Sequence, residues 1–466
     1  MAKKLKISVI GAGSAQFSLG LVRDLCLTEN LRGSHVVFMD IDQERLEMIF
    51  RLGKRYAEQL GSNLTFEMTK DRQHALEGAD YVVNTAYVLG HVVEATLRDL
   101  CSKYGYYHFG GALGPYHQFW LMLSVAKDIE RFCPDAWLLQ VGNPVFSGST
   151  MMTRETNVKV IGLCHGHYGY REIASVIGLD PDKVVWEAPG LNHNIWLTRF
   201  EYEGKDAYPL IDEWIATKGE DYWKNHRARS THDAQMSRGA CNEYRLYGLF
   251  PIGDTVRRGG WWYHTDIATK KRWFGEPFGG PDTHIARPFF VKNLEARIAE
   301  MIKASEDPKY DLVSAFGKEK TREQIVPIMD ALTFNVQGEF QVNVPNKGSV
   351  LQGIPENVVV EVPAVINQSG IHIKPITQLP AKIMLNHVLP EWLDMERDYY
   401  AFKTGDKGML LWQLLDAHQT QNYDLAETLL DELLAHQDVR AVEEFESFSS
   451  EEFINTYFKY SKELVK

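Results

Sequence analysis

The first third of the chain alternates short apolar runs with amphipathic stretches, and its first join is built of glycines. Residues 6–10, 36–39, 81–85, 137–141 and 159–163 are short and rich in β-branched or aromatic side chains, as strands buried on both faces are. Between them 19–27, 43–60 and 118–132 read as helices. The last carries Leu121, Val125, Ile129 and Phe132 on one face and stops before Pro134. Such alternation builds a doubly wound parallel sheet. From about residue 184 the pattern changes. Residues 195–202 alternate loosely like an antiparallel strand, 212–217 and 294–305 look helical, and 275–288 is a Gly- and Pro-rich loop. Residues 340–344 and 358–362 look like strands, and 408–418 and 425–435 like closing helices. The expected fold class is α/β: an N-terminal Rossmann-like doubly wound sheet over 1–195, plus a C-terminal α+β domain over 196–466 that folds back onto the first.

The glycine join reads Gly11-Ala12-Gly13-Ser14-Ala15-Gln16. The first glycine permits a tight turn and the second lets backbone approach a pyrophosphate. The helix that follows offers free N–H groups and the positive end of its dipole. Gln16 stands where a third glycine is usual. Asp40, at the end of the second strand, is placed to take ribose hydroxyls and to repel a 2′-phosphate, so NAD is expected over NADP. Gly11, Gly13, Ser14, Asp40 and Asn84 are the candidate cofactor residues. An ordinary tight turn and a helix-capping Asp are the plain alternative.

Composition narrows the partners. A formal net charge of −12 disfavours nucleic acid and anionic membrane surfaces. The five cysteines are widely spaced with no CxxC, as in a reducing compartment. No signal-peptide core follows Met1-Ala2-Lys3-Lys4, and no apolar run is long enough to cross a bilayer; a cytoplasmic protein is expected.

Ligands of open α/β sheets sit beyond the carboxyl ends of the strands. Those ends carry Asn84-Thr85, Gly142-Asn143-Pro144 and Cys164-His165-Gly166-His167; Gly190-Leu191-Asn192-His193 follows later. A thiolate and an imidazole suit a divalent metal. A buried Cys and a hydrogen-bonded His are the alternative.

Together with Tyr247-Gly248-Leu249-Phe250-Pro251-Ile252-Gly253-Asp254-Thr255-Val256-Arg257, and with Val344-Pro345-Asn346-Lys347-Gly348 and Val358-Val359-Val360-Glu361-Val362-Pro363 late in the chain, these pieces resemble glycoside hydrolase family 4 in order and spacing. That family stands apart from the two-carboxylate glycosidases. The Cys-His-Gly sequence is most similar to its α-glucosidase and α-glucuronidase branch. The resemblance implies NAD and a divalent metal, typically Mn²⁺, as cofactors, and a small-molecule glycoside as substrate. It also implies a homo-oligomer, dimer or tetramer. The implied chemistry is hydride removal from C3, deprotonation at C2, elimination of the glycosidic oxygen, water addition and return of the hydride. By position the resemblance gives Cys164 and His193 as metal ligands and Asp254 as the base near C2. Asn143, Asn192, Arg257 and Arg258 would contact substrate, and His165 would assist the leaving group or support its neighbour. Asp254 and Asn143 also fit as turn residues, and Arg257 as an ion-paired surface residue.

One segment departs from the branch. Residues 105–118 are shorter than expected and lack a carboxylate, while Arg257-Arg258 brings an additional base. This points to a sugar with an anionic C6 group, carboxylate or sulfonate, read by Arg258 or a nearby His; a plain solvated loop is the alternative. A glucoside, glucuronide or sulfoquinovoside would then be the substrate. Two further readings remain: an NAD-dependent sugar or polyol dehydrogenase, and a nucleotide-binding protein without turnover.

Overall fold

The computed structural model describes residues 4–15, 17–88, 90–107, 116–232, 235–436 and 457–460. Six parallel strands form its first half: β1 (Lys6–Ile10), β2 (His35–Met39), β3 (Thr65–Thr69), β4 (Tyr81–Asn84), β5 (Trp137–Gln140) and β6 (Lys159–Gly162). They lie in the order β3-β2-β1-β4-β5-β6, the dinucleotide-fold order in which ligands bind where the order reverses. Alternate side chains enter opposite cores. Val36, Phe38, Tyr81, Val83, Leu139 and Ile161 face one; Val37, Met39, Val82, Leu138 and Val160 face the other. That two-sided burial is why these runs are apolar throughout.

The second half contributes β7 (Val184–Glu187), β8 (Gly190–Leu191), β9 (Asn194–Leu197), β10 (Arg199–Tyr202), β11 (Lys205–Asp206), β12 (Phe250–Ile252), β13 (Gly338–Pro345), β14 (Val359–Asn367) and β15 (Gly370–Ile373). Strand β13 pairs with β6 through Asn343 and Gly162, and the sheet continues through β14, β8, β9 and β12. One sheet thus crosses both halves, and a boundary after residue 195 falls within β9. The stretch 195–202 is two strands, because β9 joins the large sheet and β10 a small antiparallel sheet with β7 and β11. The C-terminal helices fold back: Ala401, Phe402, Leu410, Leu414, Leu429 and Leu433 pack on the second core with Val82 and Leu138. The loop expected over 275–288 ends earlier, where the helix Ala286–Glu306 begins; Pro288 sits in its first turn, where the missing N–H costs nothing.

Candidate active site

Two constructions meet the carboxyl ends of the strands. The first is the glycine loop after β1. The Gly11 and Ala12 N–H groups donate to the Met39 carbonyl at 2.9 and 3.1 Å. Gly11 has φ +78°, and a Cβ there would lie 2.5 Å from the Ala86 Cα, so any side chain is excluded by conformation and by contact. The Gly13 N–H donates to Asp40 Oδ2 at 2.7 Å, while Asp40 Oδ1 accepts from the Asp42 N–H at 3.0 Å. Burial pushes the Asp40 carboxyl upward, against these two donors. Asp40 therefore braces the loop, and each oxygen keeps a lone pair for a ribose hydroxyl. Ser14 donates its N–H to the Gly11 carbonyl, ahead of the helix Ser18–Leu27. A backbone cradle of this shape, closed to side chains and facing a helix N-terminus, fits a dinucleotide. Asn84 corrects the sequence reading. It is fully buried, donating to Gln140 Oε1 at 2.9 Å and accepting the Ala86 N–H at 3.2 Å; it shapes the loop rather than offering an open contact. Gln16 and residues 108–115 lie outside the described residues.

The second construction gathers side chains from distant segments. Cys164 follows β6. His193 lies in the two-residue turn between β8 and β9, at φ +67°. That left-handed conformation costs a side chain about 1 kcal/mol or more. Asp254 follows β12. Its loop reaches the Cys164 loop because glycines meet there: a Cβ on Gly253 would lie 2.6 Å from the Gly166 Cα. Gln235 fixes the junction, exchanging hydrogen bonds of 2.9 Å with the Gly253 N–H and carbonyl.

Charge completes the cluster. Asp254 Oδ2 lies 3.0 Å from His193 Nε2 and 3.0 Å from Arg257 Nη2. Arg257 Nε reaches Asp282 at 3.2 Å, and Asp282 also holds Arg98 at 3.0 Å. Burial alone would raise the Asp254 carboxyl, but Arg257, then His193 and His232, carry it down to about 2. Asp282 is likewise held low, against its burial, by Arg257, Arg98 and Lys270. Burial lowers His193 to about 4, so its imidazole is neutral near pH 7. Burial, with Glu361 and Asp254 nearby, pushes the Cys164 thiol up to about 12. A neutral imidazole and a thiol that needs a cation beside it to ionise form a donor pair suited to a divalent metal. No group of three His, Cys, Asp or Glu side chains among the described residues is arranged to hold an ion. Two protein donors would leave positions for substrate oxygens, as catalytic metals require.

The other sequence-predicted residues divide. Asn143 is exposed just past β5. Arg257 is the central bridge of the cluster. Arg258 is paired with Glu391 at 2.5 Å, and Asn194 donates to the same carboxylate oxygen at 2.7 Å. Asn192 is corrected: it is 3% exposed, donates to Glu361 Oε2 at 2.9 Å and hydrogen-bonds the Cys164 thiol, so it supports a candidate ligand and has no surface for substrate. His165 turns toward Glu323, with Nδ1 2.9 Å from Oε1.

Sequence reading missed Glu94, Arg98, Lys270, Asp282 and Arg287. Arg98 pairs with Glu94 at 2.8 Å, and Arg287 contacts the same Glu94. Lys270 is 2% exposed and bonded to His264 Nδ1 at 3.0 Å and the Tyr107 carbonyl at 3.1 Å. In sequence Glu94 and Arg98 look like an ordinary i,i+4 surface pair, and Asp282 like a loop residue.

Comparison with known proteins fits this arrangement. The model of the family 4 glycosyl hydrolases matches residues 6–179, and that of the family 4 glycosyl hydrolase C-terminal domain matches 188–419. An α-galactosidase of Bacillus subtilis is 31% identical over 44% of this chain and half of its own length. An α-glucosidase of Erwinia rhapontici is 27% identical over 79% of this chain and 84% of its own. An α-galacturonidase of Lachnoclostridium phytofermentans is 22% identical over 87% and 90%. Among solved structures, a 6-phospho-alpha-glucosidase from gut microorganisms in complex with NAD and Mn²⁺ superposes with a TM-score of 0.74 at 18% identity, covering 93% of this chain and 98% of that one. No helix among the described residues is long and apolar enough to cross a membrane. With its two halves matched in order and its fold shared, the chain belongs to family 4 of the glycosyl hydrolases.

Proposed function

We propose that this chain is an NAD- and divalent-metal-dependent glycosidase that cleaves an unphosphorylated α-glycoside carrying a singly charged C6 group. The observation that carries the reading is the cluster in which His193 and Arg257 share one oxygen of Asp254 beside Cys164. When bound, NAD would supply a hydride acceptor and donor for C3, and the cation would polarise the C2 and C3 oxygens. The chain's own residues supply the rest. Asp254 is ionised and held by Arg257, a carboxylate able to take a proton at C2. Cys164 and His193 would hold the cation, with Asn192 supporting the sulfur. Asn143 and Arg257 border the sugar site, and His165 borders the leaving group. Gly11, Gly13, Ser14 and Asp40 would hold the dinucleotide.

The charge at C6 is read from the missed residues. Arg98, Arg257, Arg287 and Lys270 face Glu94, Asp254 and Asp282, one cation more than carboxylates. Arg98 Nη1 and Arg287 Nε are buried without a hydrogen-bond partner. An excess of one charge suits a carboxylate or sulfonate better than a phosphate dianion. Arg258, the residue first expected in this role, already pairs with Glu391. The α-galacturonidase relative supports a carboxylate. Action in the cytoplasm as a homo-oligomer belongs to the same reading.

A panel of 4-nitrophenyl α-glycosides, neutral, 6-carboxylated, 6-sulfonated and 6-phosphorylated, tests this with catalytic NAD⁺, Mn²⁺ and a thiol reductant. The expected result is fastest turnover of a 6-carboxylate or 6-sulfonate, silenced by chelator. Equal turnover of the neutral glycoside removes the C6 assignment, and stoichiometric NADH marks a dehydrogenase instead.

A further inference from the structure

Behind His165 lies a cavity of about 650 Å³, bounded by the helix Ser18–Leu27, the helix Ala286–Glu306 and residues 315–326. Its size is that of a small-molecule site. His165 forms part of its wall, while on the cluster side His165 feels the charge of Asp254. The cavity therefore joins the sugar site at the one residue placed to meet a leaving group. We propose that this cavity holds the aglycone, and that the aglycone is a neutral polyhydroxylated group, a second sugar or a polyol. The inference rests on the glycosidase reading and adds the class of its leaving group.

The lining argues for that chemistry. Arg23, Arg297 and Arg322 are matched by Asp24, Glu300 and Glu323, so the walls favour no net charge. Several polar groups are open to a ligand. Arg23 Nε is buried without a partner, and Asn293 and Arg297 extend from exposed helical positions. Phe17, Tyr168 and Phe316 add aromatic surface. Tyr168 is fixed by its O–H bond to the Arg322 carbonyl at 2.6 Å. Aromatic faces set among donors and acceptors of both kinds match a hydroxylated ring; a purely apolar aglycone would leave buried polar groups unpaired.

The test compares two substrates with one glycone: α-D-glucuronosyl fluoride, whose leaving group needs no cavity, and an α-glucuronosyl-glucose disaccharide. Arg297→Ala and Asn293→Ala remove cavity contacts from exposed positions, and Ala296→Trp fills the cavity. Each is expected to lower kcat/KM for the disaccharide about tenfold, mainly through KM, and to change turnover of the fluoride by less than about twofold. Equal losses on both substrates, or no loss on the disaccharide in any of the three, overturns the aglycone assignment and leaves the glycosidase reading standing. Failure of the wild-type protein to turn over either substrate with NAD⁺ and Mn²⁺ removes both.

Discussion

The glycine loop and the Cys164–His193–Asp254 cluster sit at the same edge of one sheet and are built on opposite principles. The loop is made of backbone: N–H groups, one tight turn and the absence of Cβ atoms at Gly11 and Gly13. The cluster is made of side chains from five segments, held by ion pairs through Asp254 and Asp282. A backbone site is sensitive to added atoms. A charge site is sensitive to a lost partner, because a buried charge left alone is costly.

That contrast is open to breakage in order of effect. Asp254→Asn removes the candidate base and the shared partner of His193 and Arg257. Turnover is expected to fall by about 10²–10⁴ with NAD affinity within a few fold of wild type; loss of NAD binding in a fluorescence titration would show that the two constructions are not separable. Gly11→Ala does the reverse. The added Cβ meets the Ala86 backbone at φ +78°, so NAD affinity is expected to weaken by at least about tenfold, with Mn²⁺ affinity, read by electron paramagnetic resonance, unchanged. Asn192→Ala leaves the Cys164 thiol and Glu361 without their shared donor. Mn²⁺ affinity is expected to drop about 10–100-fold, the usual effect of losing a residue that supports a ligand. Asp282→Asn frees Arg257 and Arg98 from their common anchor. It is expected to cost about tenfold in kcat/KM on a charged glycoside, with melting temperature as a control for folding.

The same contrast explains what the sequence made legible. The glycine loop and the strands β1, β2 and β4–β6 depend on local chemistry, namely glycine conformation and apolar runs buried on both faces, and a linear reading finds them. Strand β3 was missed because Thr65-Phe66-Glu67-Met68-Thr69 is the polar edge of its sheet, so neither face needs to be apolar. The helix Gly90–Lys103 was missed for another reason. Its Glu94 and Arg98 side chains are 16% and 9% exposed while Val92 is 60% exposed, so the apolar periodicity that reveals a helix is inverted where the helix serves the charge network. Cys164, His193 and Asp254 were recognisable as motifs, yet their meeting depends on Gly166 and Gly253 lying back to back, a contact between positions far apart in the chain. Asp282 carries no local signal, because its role exists only through Arg98 and Arg257.

The central claim is that this cluster removes a proton from C2 of the sugar during cleavage. The most direct measurement is hydrolysis of the preferred 4-nitrophenyl glycoside in D₂O with catalytic NAD⁺ and Mn²⁺, followed by NMR of the released sugar. One deuterium at C2 in the product is the predicted result; a product with its C2 hydrogen fully retained contradicts the account.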